Sequence, residues 1–346
     1  IGPSAECIAA SGNKSAARKT LKAAGIAIIP GSDDVVSAPE EALEVAADVG
    51  YPVILKASGG GGGRGMRIAY DKNELADAVA VASGEARAAF GNPDLYLEKY
   101  IEKPRHIEIQ IIGDHFGNFI HLGERECSIQ MRYQKLIEES PSPFVDEDLR
   151  NKLGQTAIQV ASLVGYTNAG TMEFLLDKDK NFYFMEVNAR VQVEHPVTEL
   201  VTGIDIVQQQ ILIAQGEKLA LAQDDIHLNG WSMECRINAA DPADNFMPSP
   251  GEITHLILPA GPGVRVDTHI FNPYVISPFY DSLIGKLVVW AKDRDMAIKR
   301  MQRALAEFQI EGIKSTIPFH QQVFQDADFI HGDIDTHFLA KWADPG

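Results

Sequence analysis

Five consecutive glycines, Gly59–Gly63, stand between two segments that have the residue pattern of β-strands. The first segment, 52–57, is rich in Val, Ile and Leu, and the second, 66–70, alternates and contains Ile and Tyr. Residues 60–65 match G-x-G-x-x-G, but a dinucleotide-binding loop needs a helix directly after it. A glycine turn between strands instead predicts a flap over phosphates, with Lys56 as a point charge. An unliganded hairpin tip is the alternative, although ordering five glycines costs much entropy.

The composition limits the classes of function. The 346 residues suggest two domains or lobes, and 45% apolar with 23% charged residues is ordinary for a globular protein. A net charge of −17 argues against nucleic-acid or anionic-membrane partners, so positive charge for an anionic ligand must be gathered locally. Three cysteines without a CxxC pattern favour a reducing compartment. With no long apolar run and no leader-like start, we expect a cytoplasmic protein.

Hydrophobic periodicity predicts a mixture of helices and strands without strict βαβ alternation, which indicates an α+β fold. A change to a strand-rich pattern after Asn229 predicts a boundary near residue 228. The predicted helices are 5–24, 37–49, 73–90, 146–164, 203–215, 295–308 and 318–326. The predicted strands are 26–29, 52–57, 66–70, 95–100, 105–110, 119–122, 127–130, 170–177, 182–190, 231–238, 252–258, 262–268 and 283–291.

Two of these strands, 171–177 and 182–188, read as a hairpin with its turn at 178–181. A turn centred between Asp179 and Lys180 places Glu173 directly opposite Glu186, with Cβ atoms about 5 Å apart. Two carboxylates so close repel unless a cation or a shared proton compensates. Magnesium favours such carboxylates together with substrate phosphates. The hairpin therefore predicts a magnesium site.

Residues 186–194 alternate strictly between polar and apolar side chains. If the strand persists, one face carries Glu186, Asn188, Arg190, Gln192 and Glu194. A solvated outer sheet face is the alternative. The order of the polar groups instead suits a nucleotide-bound metal followed by a second, smaller anion. His195 and Pro196 would then end the strand in a structural role.

The glycine flap and the Glu…Glu-x-Asn hairpin together resemble the ATP-grasp superfamily, and further motifs narrow the resemblance to biotin carboxylase. These motifs span nearly the whole chain. They are Lys56-Ala57-Ser58 with the glycine run, RHIEIQ at 105–110, ERECSIQ at 124–130, QKLIEE at 134–139, RVQVEHPVTE at 190–199, ECRINA at 234–239 and YDSLIGK at 280–286.

The resemblance implies an ATP-grasp fold, with a glycine-flap lid and an antiparallel-sheet core, followed by a biotin carboxylase C-terminal domain. The implied ATP contacts are Lys14, Lys56, Gly61, Gly62, Gly63, Glu98, Lys99, Ile101, His106 and Gln130. The implied ligands of two magnesium or manganese ions are Glu173, Glu186 and Asn188. The implied bicarbonate contacts are Arg190, Gln192 and Val193. The implied catalytic residues are Glu194 as general base, Lys135 at the phosphates, Arg190, and Arg236 for the biotin enolate.

The same resemblance implies the reaction and its partners. ATP and bicarbonate would carboxylate biotin through carboxyphosphate, the first half-reaction of acetyl-CoA carboxylase in fatty acid synthesis. The biotin would arrive on a carrier protein, since no Met-Lys dipeptide occurs here. Carboxyltransferase subunits and a homodimer are further implied. The alternatives are the same domain of a pyruvate or propionyl-CoA carboxylase, another ATP-grasp ligase, or an inactive nucleotide-binding fragment.

The resemblance also divides the chain: 1–30 leading from an N-terminal domain that this sequence lacks, 31–100 a lid, 101–228 a core and 229–346 a C-terminal domain. We expect loss of that first domain to uncover apolar surface and weaken activity. Met131 and Tyr133 replace an arginine and a histidine of many relatives, which removes charge near the adenine and ribose. Without the resemblance, Arg236 would pair with Glu234, and Lys135 with Glu138 or Glu139.

Overall fold

The computed structural model describes residues 1–12, 14–36, 38–57 and 66–342. Gly61, Gly62 and Gly63 lie outside the described residues, as does the side chain of Lys14. None of the described helices is long and apolar enough to cross a membrane.

The first part of the chain contains a small antiparallel sheet covered by helices. Its strand order is β2-β1-β3, so the two strands that flank the glycine run are neighbours, as predicted. The helices are α1 (Ala5–Gly12), α2 (Lys14–Ala23), α3 (Pro39–Val49) and α4 (Lys72–Phe90). The strands are β1 (Val53–Ala57), β2 (Met66–Ala69) and β3 (Leu95–Lys99). Apolar side chains of α3, α4 and all three strands form one buried cluster.

The second part supplies five strands of a large sheet and three helices. The strands are β4 (Arg105–Gly113), β5 (Phe119–Met131), β6 (Gln134–Ser140), β7 (Asn168–Leu176) and β8 (Phe182–Asn188). The helices are α5 (Glu147–Leu163), α6 (His195–Thr202) and α7 (Ile206–Ala214). Helix α5 begins where the side chain of Asp146 accepts a hydrogen bond from the N–H of Leu149. Its apolar face packs on β4 and β7.

The third part completes the sheet and adds short strands and helices. The strands are β9 (Trp231–Asn238), β10 (Ala240–Asp241), β11 (Met247–Pro248), β12 (Gly251–Ile253), β13 (His255–Ile257), β14 (Val264–Thr268), β15 (Tyr274–Ile276), β16 (Leu283–Ala291) and β17 (Gln309–Glu311). The helices are α8 (Arg294–Glu307), α9 (Ile317–Val323) and α10 (Ala327–His331). Short 3-10 helices lie at Gln223–Asp225, Pro242–Asp244 and Phe338–Trp342.

The large sheet has eight strands in the order β14-β16-β9-β6-β5-β4-β7-β8, and every neighbouring pair is antiparallel. The α+β prediction is therefore confirmed. The sheet is continuous across residue 228, because β9 from the third part pairs with β6 from the second.

Several strand predictions are wrong. Residues 26–29 form only an isolated bridge, and the strand predicted over 252–258 is two strands, β12 and β13, in different sheets. The segments predicted as separate strands, 119–122 and 127–130, belong to one strand, β5, whose middle is charged. The strand predicted over 182–190, with its alternation continuing to Glu194, ends at Asn188, and helix α6 starts at His195. The fixed φ of Pro196 suits the first turn of a helix, and Gly203 ends that helix with φ +72°.

Candidate active site

The predicted carboxylate pair lies where β7 and β8 run side by side. Glu173 is directly opposite Glu186, and Asn188 is opposite Thr171, as the hairpin register predicts. Glu173 is buried, and its Oε2 lies 3.3 Å from Nε2 of His106. Two carboxylates and an amide oxygen are hard ligands, so the donor set fits magnesium.

Lys135, the second residue of β6, binds three carboxylates. Its Nζ lies 2.5 Å from Glu108 Oε2, 2.7 Å from Glu194 Oε1 and 3.0 Å from Glu173 Oε1. Burial disfavours the ammonium charge, but these acids and Cys127 outweigh burial and raise the pKa of Lys135. The alternative pairing of Lys135 with Glu138 or Glu139 is wrong. The lysine instead joins the predicted metal hairpin to the predicted general base.

Two of these carboxylates are held ionised by their neighbours. Burial alone would raise the pKa of Glu108, but Arg125 and Lys135 lower it to about 2. Burial also opposes ionisation of Glu173, yet His106 and Lys135 lower the pKa of this group as well. Glu108 was not among our predicted site residues. Its signal was the alternation of His106, Glu108 and Gln110 with isoleucines along 106–111.

Arg236 reaches the same centre from β9. Its Nε donates to Glu138 Oε1 at 2.7 Å, and its Nη2 donates to Glu194 Oε2 at 2.9 Å. The alternative pairing of Arg236 with Glu234 is wrong. Glu194 is thus held between two cations, Arg236 on one oxygen and Lys135 on the other.

Arg125 is a buried hub that the sequence analysis missed. Its Nε lies 2.5 Å from Glu108 Oε1, and its Nη2 donates to Gln192 Oε1 at 3.3 Å. Nη1 donates to Gln110 and Thr198, and Nη2 also to Thr171. Gln192 in turn donates to Glu173 Oε1 at 3.2 Å. The hub therefore fixes Gln192 beside the metal hairpin, although Gln192 lies beyond the end of β8.

The remaining predicted anion contacts lie apart from this cluster. Arg190 is exposed; its guanidinium donates to Val191 O at 3.3 Å and Asn188 Oδ1 at 3.4 Å. The carbonyl of Val193 accepts a hydrogen bond from Nζ of Lys286 at 3.0 Å. Val193 and Lys286 also line a cavity of about 330 Å³ beside β14 and β16. The strand prediction placed Arg190 with Gln192 and Glu194, but the early end of β8 separates it from them.

The predicted ATP contacts form two groups. In the small sheet, Lys56 Nζ lies 2.6 Å from Glu98 Oε2, and Arg18 lies 2.6 Å from the other oxygen of Glu98. Arg18 was not predicted. The Lys99 side chain turns away and donates to the carbonyls of Gly50 and Tyr51.

The second group lies on the large sheet. His106 Nδ1 is 3.3 Å from Gln130 Nε2, and Gln130 also donates to the carbonyl of Cys127 at 3.2 Å. Ile101 is half-buried just after β3. Of the two substituted positions, Met131 packs against the core, whereas Tyr133 is 61% exposed with φ +66° in the turn before β6.

Comparisons with known proteins show the family of the chain. The carbamoyl-phosphate synthase L chain ATP-binding domain family matches residues 13–222, and the biotin carboxylase C-terminal domain family matches residues 234–341. A biotin carboxylase from a Nostoc species is 55% identical over 341 residues, which cover 99% of this chain and 76% of that protein.

Two solved structures are similar in fold and sequence. The Campylobacter jejuni biotin carboxylase–β-γ-ATP complex has a TM-score of 0.94 and 51% identity, covering 98% of this chain and 76% of that chain. The Hydrogenobacter thermophilus 2-oxoglutarate carboxylase biotin carboxylase domain dimer, with MgADP, ADP and bicarbonate, has a TM-score of 0.94 and 48% identity. It covers 100% of this chain and 77% of that chain. The chain belongs to the biotin carboxylase family of ATP-grasp enzymes.

Proposed function

We propose that this chain uses ATP and bicarbonate to carboxylate biotin presented by a carrier protein. The observation that carries the proposal is the position of Glu194, whose two oxygens are bound by Lys135 and Arg236 beside the Glu173–Glu186 pair. A carboxylate base between two cations, next to metal ligands, suits deprotonation of a small anion and transfer of a phosphoryl group to it.

The proposed steps use the groups around Glu194, together with Arg190 and Val193, which lie apart from that cluster. Glu194 takes the proton of bicarbonate, whose oxygen then attacks the γ-phosphorus of ATP, giving carboxyphosphate and ADP. Lys135 and Arg190 neutralise charge on the reacting anions, and Gln192 and Val193 orient bicarbonate. Carboxyphosphate breaks to CO₂ and phosphate, and the phosphate removes the N1 proton of biotin. Arg236 stabilises the resulting enolate, whose N1 attacks CO₂.

Nucleotide and metal occupy the neighbouring surfaces. Lys56, Glu98, Lys99, Ile101, His106 and Gln130 are the proposed ATP contacts among the described residues. Glu173, Glu186 and Asn188 would hold two magnesium or manganese ions, which neutralise phosphate charge when bound. The crystallised relative with MgADP and bicarbonate supports a nucleotide, magnesium and bicarbonate as the bound molecules.

The partners follow from the reaction. We propose a biotin carboxyl carrier protein, carboxyltransferase subunits and a homodimer in the cytoplasm. Acetyl-CoA is the proposed final acceptor, for fatty acid synthesis. The acceptor chemistry belongs to the carboxyltransferase, so a pyruvate or propionyl-CoA carboxylase is the alternative assignment.

Phosphate release from ATP tests the function. We expect magnesium-dependent release that requires bicarbonate and rises when free biotin is added, with carboxybiotin as the product. ATP binding without bicarbonate-dependent release would contradict the proposal. Release that requires an amine instead of biotin would indicate a different ATP-grasp ligase.

A further inference from the structure

Two buried glutamates lie behind Arg236 in the centre of the large sheet. Glu138 on β6 is directly opposite Glu234 on β9, and both are 0% exposed. Glu234 shares its sheet face with Arg236, two residues further along the same strand. Cross-strand partners in antiparallel strands have Cβ atoms about 5 Å apart. The two side chains therefore leave the sheet side by side in the interior.

The hydrogen bonds of this pair are incomplete if both groups are ionised. Glu138 Oε1 accepts from Nε of Arg236 at 2.7 Å. Among the described residues, no donor reaches Glu138 Oε2 or either oxygen of Glu234. An ionised carboxylate buried without donors is strongly disfavoured, and a second one beside it adds repulsion. One proton between the two groups relieves both costs, because the protonated acid becomes the missing donor.

Among the described residues no cation forms an ion pair with Glu234, although the charges of Lys286 and Arg236 partly offset the rise in its pKa. Arg236 is bound by Glu138 and Glu194, and Lys135 by three other carboxylates. Lys286, opposite Arg236 on β16, donates to the carbonyl of Val193 and lies 3.5 Å from Asp267. The residue opposite Glu234 on β16 is Val288.

Helix α6 and the far side of the sheet add no compensating charge. Glu194, at the start of α6, contributes a further negative charge. His195 on this helix contacts the carbonyl of Gln192 and faces Glu199. Helix α8 packs on the opposite face of the sheet, where Arg294 binds Glu139. Burial, followed by the charge of Glu138, raises the pKa of Glu234.

We propose that Glu138 and Glu234 share one proton, with Glu234 as the neutral acid that donates to the Glu138 carboxylate. Glu138 keeps its negative charge and accepts a hydrogen bond from Nε of Arg236. This hydrogen bond fixes the orientation of the guanidinium group toward Glu194. Both glutamates are positioning residues, since neither touches the reacting atoms. The effect on biotin rests on the proposed function, whereas the shared proton does not.

Infrared difference spectroscopy of the full chain tests the shared proton directly. We expect the spectrum of the unsubstituted protein minus that of Glu234→Gln to show the carbonyl stretch of a protonated carboxylic acid near neutral pH. The matched control is Glu139→Gln, the next residue of β6, whose buried carboxylate binds Arg294. Its difference spectrum should show only the loss of an ionised carboxylate.

The unsubstituted protein provides a second measurement that does not depend on a variant folding. Labelling glutamate with ¹³C should shift the acid band and identify it as a glutamate. Burial raises the pKa values of both Glu138 and Glu234. The acid band should therefore be present at pH values below the titration of the pair and disappear as the pH rises through it. An acid band that does not shift when glutamate is labelled would overturn the shared proton. So would an ionised-carboxylate signal for Glu234 near neutral pH.

Kinetics test the positioning role. The amide of Glu234→Gln can donate the same hydrogen bond, so we expect its KM for biotin to stay within about threefold of the original. Glu234→Ala leaves Glu138 without that donor, and we expect KM for biotin to rise about tenfold or more. ATP cleavage with bicarbonate alone should change much less. Equal loss of both activities in folded Glu234→Ala would overturn the positioning role. A protein without any biotin activity would instead contradict the proposed function while leaving the infrared result intact.

Discussion

Replacing Glu194 with glutamine removes the proposed base while keeping nearly the same shape. The two oxygens of Glu194 bind Lys135 at 2.7 Å and Arg236 at 2.9 Å. Glutamine keeps one acceptor and cannot take the bicarbonate proton. A general base contributes about 10²–10⁴-fold, or about 3 to 5 kcal/mol in the barrier. We therefore expect bicarbonate-dependent phosphate release to fall by that factor.

The substitution should leave the nucleotide side of the site intact. Lys135 retains Glu108 and Glu173, and Arg236 retains Glu138, so neither cation is left without an acid. We expect the affinity for magnesium and ATP, measured by calorimetry, to change little. The steady-state assay is phosphate release at saturating ATP with varied bicarbonate.

A control on the same helix separates chemistry from folding. Glu199→Gln, in the middle of α6, breaks an ion pair with Arg265 and not one with Lys135. We expect this variant to keep nearly full bicarbonate-dependent release. Near-original turnover by folded Glu194→Gln would refute the assignment of the base, and an equal loss in the Glu199 control would attribute the effect to helix α6 instead.

Three further predictions concern groups around the base. Glu173→Gln and Glu186→Gln should each raise the magnesium concentration needed for half-maximal turnover, and an unchanged requirement in both variants would exclude the two-carboxylate site. Arg125→Met should lower the free energy of unfolding by about 3–5 kcal/mol in denaturant titrations, because it leaves Glu108 with one cation fewer in the interior; a loss below 1 kcal/mol would contradict the hub. The lowered pKa of Glu108 stabilises the fold above about pH 4.5, and this contribution should fade as the pH drops toward about 2. Acid unfolding of Glu108→Gln should lack that component, and an identical pH dependence would show that another group is responsible.

The hairpin is the part of the site that sequence alone located best. Strict cross-strand pairing depends only on the turn position, so Glu173 and Glu186 were placed opposite each other without tertiary information. The glycine-linked strands were found for the same reason, since each signal is local. Neither prediction needed to know what packs above the sheet.

Ion pairs between distant parts of the chain could not be predicted from the sequence. Glu124, Arg125 and Glu126 lie in a row within β5, and all three are fully buried because each has an ionic partner elsewhere. Three consecutive charges are typical of exposed chain, whereas here they form the middle of one buried strand. The partners lie on β4 and α5, and their identity depends on the packing of those elements. For the same reason, the alternative pairings of Arg236 and Lys135 named acids that do not bind them.

The large sheet is continuous across the two segments that the family models match, so neither segment contains the whole sheet. Residues 222 and 234 bound the matches, yet the ladder between β6 and β9 crosses that gap through the pairs Glu138–Glu234 and Ile137–Cys235. A chain cut in this loop would yield two pieces, each with the open edge of a central, largely buried strand. Open strand edges pair with other strands, so each piece alone should aggregate. The two pieces together should complete one sheet. The boundary between the two family matches therefore lies inside one folding unit.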